Sequence, residues 1–151
     1  MDAKQLLNDI LSDIRVEIYD EFDKNFDRRA FFGRKWPPKK FQNNSNSILN
    51  QSGKLRRSIR AQVRGNAVVF TSAVPYAAVH NEGWSGTRRA HTRRIKSKDQ
   101  KTVITQHVRA HHVTIPERRF IGDAPEVRKI VEDIIKKNVE KAVGEVMMKK
   151  P

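Results

Sequence analysis

The stretch from Ser52 to Gly83, SGKLRRSIRAQVRGNAVVFTSAVPYAAVHNEG, contains the local signals that decide the fold. Apolar and polar residues alternate on both sides of Gly65-Asn66, a typical two-residue hairpin turn, because Gly and Asn tolerate positive φ. With this turn the paired residues on one face are all apolar, namely Val63 with Val68 and Ala61 with Phe70. The pattern therefore predicts two antiparallel strands in this register.

A short helix is predicted directly after the hairpin. Pro75 presets φ for a first helical position, Ala77 is a good helix former, and Gly83 can end the helix in a left-handed conformation. Tyr76 and His80 are four positions apart, so we expect them to share one face of this helix.

Both ends of the chain have helical periodicity. From Lys4 to about Phe26, and from Asp123 to about Met147, apolar residues recur every three or four positions. Asp123 and Glu126 have the spacing of a capping box, with Pro125 in the tolerated first turn. The sequence thus predicts two terminal helices, each with an apolar stripe for the sheet.

The polar side of the first helix is acidic. Its carboxylates, here called the acidic face, are Asp9, Asp13, Glu17, Asp20, Asp23 and Asp27. Such a set is either a catalytic or metal-binding group or a solvated or partner-facing surface. Metal sites need ligands that converge from several elements, whereas these side chains point outward along one rod. We therefore interpret the acidic face as solvated or partner-facing.

Residues 28–51 are predicted to form a long loop, because Pro37-Pro38 and the run QNNSNS oppose both helix and central strand. Phe31, Phe32 and Trp36 are interleaved with Arg and Lys in this segment. These rings either stack on nucleic-acid bases, as in single-strand binders, or pin the loop onto the fold or a neighbouring subunit. We favour the second interpretation.

Residues 84–114 form a basic insertion, here called the basic arm. Its possible contacts to a partner or to nucleic acid are Arg88, Arg89, Arg93, Arg94, Lys96 and Lys98. The segments RRIKS and KTVITQHV, on either side of Asp99-Gln100, predict a second hairpin with a polar tip, because they are rich in β-branched residues. So many cations also indicate an arm that stays mobile until it meets a partner.

Positive charge is concentrated in the middle of the chain. The net charge is +14 over 151 residues, which is the length of one domain. Residues 1–27 carry 3 basic and 8 acidic groups, whereas residues 28–119 carry 21 basic and 3 acidic groups. Such a field attracts polyanions, acidic protein surfaces or anionic lipid.

Several classes of protein are disfavoured. The absence of cysteine excludes disulfides and thiolate chemistry, and no signal peptide or membrane-length apolar run is visible. His107 and His111 have the spacing of a helical metal pair, but their surroundings are cationic and nearly free of carboxylates. No Gly-x-Ser-x-Gly elbow or phosphate-binding glycine loop is present. We therefore expect no enzyme activity, no cofactor and no metal.

The central stretch also carries a resemblance. S-G-K-L-R-R-S-I, then P-Y-A-A-V-H-N-E-G and later I-P-E-R-R-F-I-G, with Trp36-Pro37-Pro38 upstream, resemble the phage virion morphogenesis family over roughly residues 20–145. That family includes tail completion proteins of Mu-like phages and is similar to other head-tail joining proteins. Arg119 departs from the family pattern, which tends to have proline there, and the run from Arg88 to Lys101 is unusually basic.

The resemblance implies that the matching residues are scaffold and interface positions, not catalytic ones. They are Gly53, Leu55, Ser58 and Ile59 in the first motif, Tyr76, Ala77, His80 and Gly83 in the second, and Pro116, Arg118, Phe120 and Gly122 in the third.

We therefore expect one α+β domain over residues 1–151: a small antiparallel sheet with a short inserted helix, packed by an N-terminal and a C-terminal helix. The resemblance implies a structural protein that completes a phage or prophage tail or joins it to the head. Its expected partners are other tail or neck proteins and further copies of itself in a ring, with possible transient DNA contact and no membrane. Its expected location is the virion, and the host cytoplasm during assembly. The alternative is a nonspecific nucleic-acid-binding protein that uses the basic arm.

Overall fold

The computed structural model describes residues 1–40 and 48–149. The QNNSNS run of the predicted loop lies outside the described residues. The helices are α1 (Ala3–Arg28), α2 (Lys54–Ser58), α3 (Ala77–Glu82) and α4 (Pro125–Met148). The strands are β1 (Ala30–Phe31), β2 (Arg34–Lys35), β3 (Ile59–Arg64), β4 (Ala67–Ser72), β5 (Trp84–Arg88), β6 (His91–Lys96), β7 (Val103–Val108) and β8 (His111–Ile115). They pair as four two-stranded antiparallel sheets, which confirms the α+β class.

The central hairpin has the predicted register. β3 and β4 pair antiparallel through the Gly65-Asn66 turn, with Val63 opposite Val68 and Ala61 opposite Phe70. α2 precedes β3 directly, and α3 begins at Ala77, two residues after Pro75. Local turn chemistry and alternation predicted the hairpin, whereas the prediction of Pro75 at the first helical position is wrong, because Tyr76 is the N-cap of α3.

α1 is the element on which the rest of the body packs. Its Phe26 joins a cluster with Trp36, Leu55, Ile59 and Phe120, residues from four other parts of the chain. One turn earlier, its Ile18 and Phe22 form a second cluster that includes Phe31 and the beginning of α4. α1 therefore contacts both the hairpin and α4, and Phe70 of β4 packs against the second cluster as well.

α4 begins where the sequence predicts a helix, but the predicted capping box is wrong. The N-cap is Ala124, which makes no side-chain cap hydrogen bond, and Pro125 occupies the first turn. The Asp123 carboxylate instead accepts hydrogen bonds from Arg128 at 2.5 and 3.3 Å, and Glu126 pairs with Arg34 at 3.2 Å. Ion pairing to nearby guanidinium groups takes both carboxylates away from the backbone amides.

The segment after α1 is more ordered than the predicted loop. Residues 30–35 form the short β1–β2 hairpin, and Arg29 and Phe32 have positive φ values of 53°. Phe31 and Trp36 are buried, and the rings of Phe26 and Trp36 meet edge to face at 5.7 Å. The buried aromatic side chains thus attach the segment to the fold, which is the interpretation that the sequence favours over base stacking.

The basic arm is a structured ribbon, not an irregular segment. β5 pairs with β8 and β6 pairs with β7, and both pairs have the same register, from Trp84 opposite Ile115 to Lys96 opposite Val103. The β5–β8 pair is the inner part and the β6–β7 pair the outer part of one two-stranded ribbon. At roughly 3.3 Å per residue, this ribbon is about 40 Å long. The second hairpin is therefore present. The body elements within the described chain pack little against the ribbon, which projects from the body.

No described helix is both long enough and apolar enough to span a lipid bilayer.

Candidate assembly interface

The first motif builds the junction between α2 and β3. Gly53 precedes α2 with a φ of 68°, and Leu55 and Ile59 are buried. The hydroxyl of Ser58 donates to the carbonyl oxygen of Leu55 at 2.6 Å and lies 2.7 Å from the hydroxyl of Ser72. These contacts fix the first motif in the core of the molecule.

The second motif forms α3 and the turn that follows it. Ala77 is buried, whereas Tyr76 remains 39% exposed. The rings of Tyr76 and His80 meet edge to face with centroids 5.9 Å apart, so the predicted shared face is present. Gly83 ends α3 with a φ of 77° but a ψ of 165°, which is not the predicted left-handed helical conformation, and it directly precedes β5.

The third motif runs between the ribbon and α4. Pro116 is half-buried, Phe120 is completely buried, and Gly122 has a φ of 149°. The guanidinium of Arg118 donates to the carbonyl oxygens of Pro37 and Pro38, at 2.9 Å in each case. This arginine therefore ties the third motif to the double proline.

The structure brings the second and third motifs together. The Arg118 amide donates to the His80 carbonyl oxygen at 2.8 Å. The Asn81 side-chain oxygen accepts from the amides of Phe120 and Ile121 at 2.9 and 3.1 Å. Motifs about 40 positions apart in the sequence thus share one hydrogen-bonded seam.

Two asparagines that the sequence patterns do not mark as site residues, Asn25 and Asn81, hold this seam. Asn25 is fully buried on α1 and donates to the Phe120 carbonyl oxygen at 3.1 Å, while its own oxygen accepts from the Phe32 amide at 2.9 Å. A signal was present, because Asn25 lies beside Phe22 and Phe26 on the face of α1 that packs inward. A buried side-chain amide must find partners, and it finds them here in loop backbone.

His80 lies in a cationic and half-buried environment. Burial, together with the positive charge of Arg118, lowers the pKa of His80. Its Nδ1 atom is buried and has no hydrogen-bond partner within the described residues. Burial also lowers the pKa of Arg118. In residues 1–40 and 48–149, no three His, Asp or Glu side chains gather as metal ligands.

The acidic face of α1 stays exposed to solvent, with the Asp20 and Asp27 side chains 60 and 64% exposed, but four of its carboxylates also bind partners within the chain. Arg56 lies between Asp23 and Asp27 and donates to both carboxylates at distances from 2.6 to 2.9 Å. The side-chain amide of Asn138 donates to Asp13 at 2.9 Å. Lys24 contacts Asp20 at 2.6 Å. Asp9 and Glu17 alone among the acidic-face residues have no such partner in the described chain.

The ribbon presents its cations to solvent. Its exposed cations are Arg88, Arg89, Arg93, Arg94, Lys96 and Lys98. None of the six forms an ion pair with a carboxylate in the part of the chain that the structure describes. Arg93 donates to the side chain of Gln106 on the opposite strand at 2.7 Å.

α4 leaves the outer part of its apolar stripe uncovered. Ile134 is buried against the body, but Val139, Val143 and Val146 are 40, 48 and 56% exposed. With Leu6 of α1 they line an open apolar groove of about 330 Å³. A continuous apolar surface of this kind is typical of a protein–protein contact.

Comparison with known proteins agrees with these features. The sequence model of the phage virion morphogenesis family matches residues 4–140, from the first turn of α1 into the second half of α4. No curated protein and no solved structure matches the chain. The matched family is structural rather than enzymatic, and it implies association with the virion and with other virion proteins. The protein therefore belongs to the phage virion morphogenesis family and has a structural role in virion assembly.

Proposed function

We propose that the protein completes the phage tail, or forms part of its junction with the head, by assembling as a homo-oligomeric ring with other tail or neck proteins. It would assemble in the host cytoplasm and remain in the virion. The observation that carries this proposal is the uncovered stripe of α4, formed by Val139, Val143, Val146 and Met147. Packing this stripe against a second copy would remove its apolar side chains from water.

Charge around the stripe supports a second copy as the occupant. Lys137 and Lys141 on α4 are exposed and form no ion pair with any described residue. Asp9 and Glu17 are the acidic-face carboxylates that the described chain leaves without partners. Opposite charges on two different surfaces of one molecule suit a head-to-tail contact, which closes into a ring when the rotation between copies permits.

The buried contacts of the family motifs support the same proposal. Their residues hold one seam around Phe120, and this seam joins α1, α3 and the base of the ribbon. We propose that the motif residues serve as scaffold and that the stripe and the ribbon are the contact surfaces. A rigid seam would present both surfaces in a fixed orientation, as a ring requires.

Complementation of a gene deletion tests the tail role. The gene is deleted in the phage or prophage that encodes it, and particles are counted by electron microscopy after the wild-type protein is supplied in trans. We expect the deletion to yield heads without joined tails or tails with unfinished ends, and the wild-type protein to restore complete particles. Normal tailed particles from the deletion strain would overturn the tail role.

Two paired substitutions test the ring contact. Val139→Gln with Val143→Gln places two amides on the stripe, whereas Glu132→Gln with Lys136→Gln places two amides at exposed positions of the same helix. Neither pair changes the net charge. We expect both proteins to fold by circular dichroism and only the stripe variant to fail in complementation, by at least tenfold. Complementation by the stripe variant at the wild-type level would exclude the stripe as the contact.

A further inference from the structure

We propose that the basic ribbon is a binding element for duplex DNA that contacts the phosphate walls of a groove. The ribbon extends from Trp84 to Ile115 and carries eight basic residues and one acidic residue, Asp99. This inference goes beyond the proposed tail role, because it names the ligand of the ribbon, whereas the proposed contact between copies uses the stripe of α4.

The charge of the ribbon has no counterpart in its own chain. Its six predicted contact cations are exposed and form no ion pair within the described residues. The acidic face of α1 offers only Asp9 and Glu17, because its other carboxylates already bind Arg56, Asn138 or Lys24. The described chain also leaves Glu82, Glu132 and Glu145 without ion pairs, but they lie on α3 and α4, so a second copy offers only scattered carboxylates against eight cations. A polyanion is therefore a better match for the ribbon than a second copy of the chain.

The distribution of the cations over both faces favours a groove. Successive side chains of a strand point to opposite faces, so Arg93 lies on one face of the ribbon and Arg94 and Lys96 lie on the other. A flat acidic protein surface would contact only one of these faces. The major groove of B-form DNA admits a two-stranded ribbon, and phosphates line both of its sides.

Composition favours duplex over single-stranded nucleic acid. Single-strand binders stack bases on aromatic side chains, but no Phe, Tyr or Trp occurs between Arg88 and Arg109. The exposed large apolar residues of the outer ribbon are Ile95, Val103 and Ile104, which lack an aromatic face for stacking. The outer ribbon can therefore supply phosphate contacts but no Phe, Tyr or Trp for base stacking, which predicts binding with little sequence preference.

Fluorescence anisotropy with a labelled 30-base-pair duplex of random sequence tests the proposal on the full-length protein. The arm variant carries Arg88→Ala, Arg89→Ala, Arg93→Ala and Arg94→Ala. The matched control removes the same charge from exposed positions of α1 and α4, with Lys4→Ala, Arg15→Ala, Lys129→Ala and Lys136→Ala. We expect wild-type affinity to fall about 10³-fold between roughly 50 and 200 mM salt if about six cations contact phosphates.

The arm variant should bind more weakly, with a salt slope lower by about 3 to 4, because each lost phosphate contact removes about 0.9 from the slope. The control should keep the wild-type slope within about one unit. A variant with the same four arginines changed to lysine should retain most of the slope, because it keeps the charge and the ribbon. Equal binding by the arm variant and wild type would overturn the proposal.

An acidic protein partner would give a different result. The arm variant would then bind DNA as the wild type does but fail to join tail particles in the complementation experiment, and DNA would be excluded as the partner. Loss of DNA binding by the arm variant alongside normal tail completion would support the DNA proposal and leave the tail role intact.

Discussion

Asn25 and Phe120 are 95 positions apart in the sequence, and the side-chain amide of Asn25 donates to the Phe120 carbonyl oxygen at 3.1 Å with both side chains fully buried. On the other side of Phe120, its amide donates to Asn81 at 2.9 Å. One buried aromatic residue is thus held through both of its backbone polar groups by side chains from two helices. The third motif depends on α1 and α3 for its position.

Replacement of Asn25 tests this arrangement. Asn25→Ala leaves the Phe120 carbonyl and the Phe32 amide without their partner, and each unsatisfied buried group costs about 1 to 3 kcal/mol. We expect the free energy of unfolding in urea to fall by at least about 2 kcal/mol. Asn8→Ala, at an exposed position of the same helix, should change it by less than about 0.5 kcal/mol. Equal effects of the two substitutions would contradict the role of Asn25.

Two glycines provide a second, internally matched test. Gly83 has a φ of 77°, and a Cβ atom there would lie 2.9 Å from the Glu117 amide nitrogen. Gly83→Ala should therefore destabilise the protein by more than about 1 kcal/mol. Gly144 lies inside α4 with no atom within 4 Å of such a Cβ, so Gly144→Ala should stabilise it by about 1 kcal/mol. Thermal denaturation distinguishes the two signs, and a stable Gly83→Ala protein would refute the close contact.

The pairing of Arg56 with Asp23 and Asp27 should contribute measurable coupling. The hydrogen bonds that Arg56 donates to the Asp23 and Asp27 carboxylates raise the pKa of Arg56 and lower the pKa of Asp27. A double-mutant cycle with Arg56→Gln and Asp23→Asn should give a coupling energy of about 1 kcal/mol that decreases with added salt. Arg60→Gln, which removes an exposed cation of the neighbouring strand, serves as the control. A coupling energy indistinguishable from zero would mean that solvent replaces these bonds without cost.

The lowered pKa of His80 predicts a pH dependence of stability. Because burial and Arg118 depress the folded-state pKa, the unfolded chain binds the proton more readily. Above the unfolded-state pKa near 6.5, His80 is neutral in both states and does not lower the stability. Stability declines as the pH falls from that pKa toward the lower pKa of the folded state. His80→Gln should make the decline between about pH 7.5 and 5.5 shallower than in the wild type. Urea denaturation at both pH values measures the difference, and parallel curves would exclude this histidine as a source of the dependence.

The predictions that succeeded rest on local physical chemistry. The Gly65-Asn66 turn and strict alternation determine the register of β3 and β4, and the three-and-four periodicity of apolar residues determines α1 and α4. The motifs also identified the family, because their order and spacing are properties of the sequence itself.

Tertiary structure decided which polar groups pair and which apolar faces are covered. The capping-box pattern at Asp123 failed because Arg128 and Arg34 compete for its two carboxylates. The acidic pattern of α1 did not reveal that Arg56, about 30 positions later, binds two of its members. Spacing along a helix reports which residues share a face, but only the folded chain decides what that face meets. For the same reason, the exposed stripe of α4 and the unpaired cations of the ribbon became visible as contact surfaces only in the folded structure.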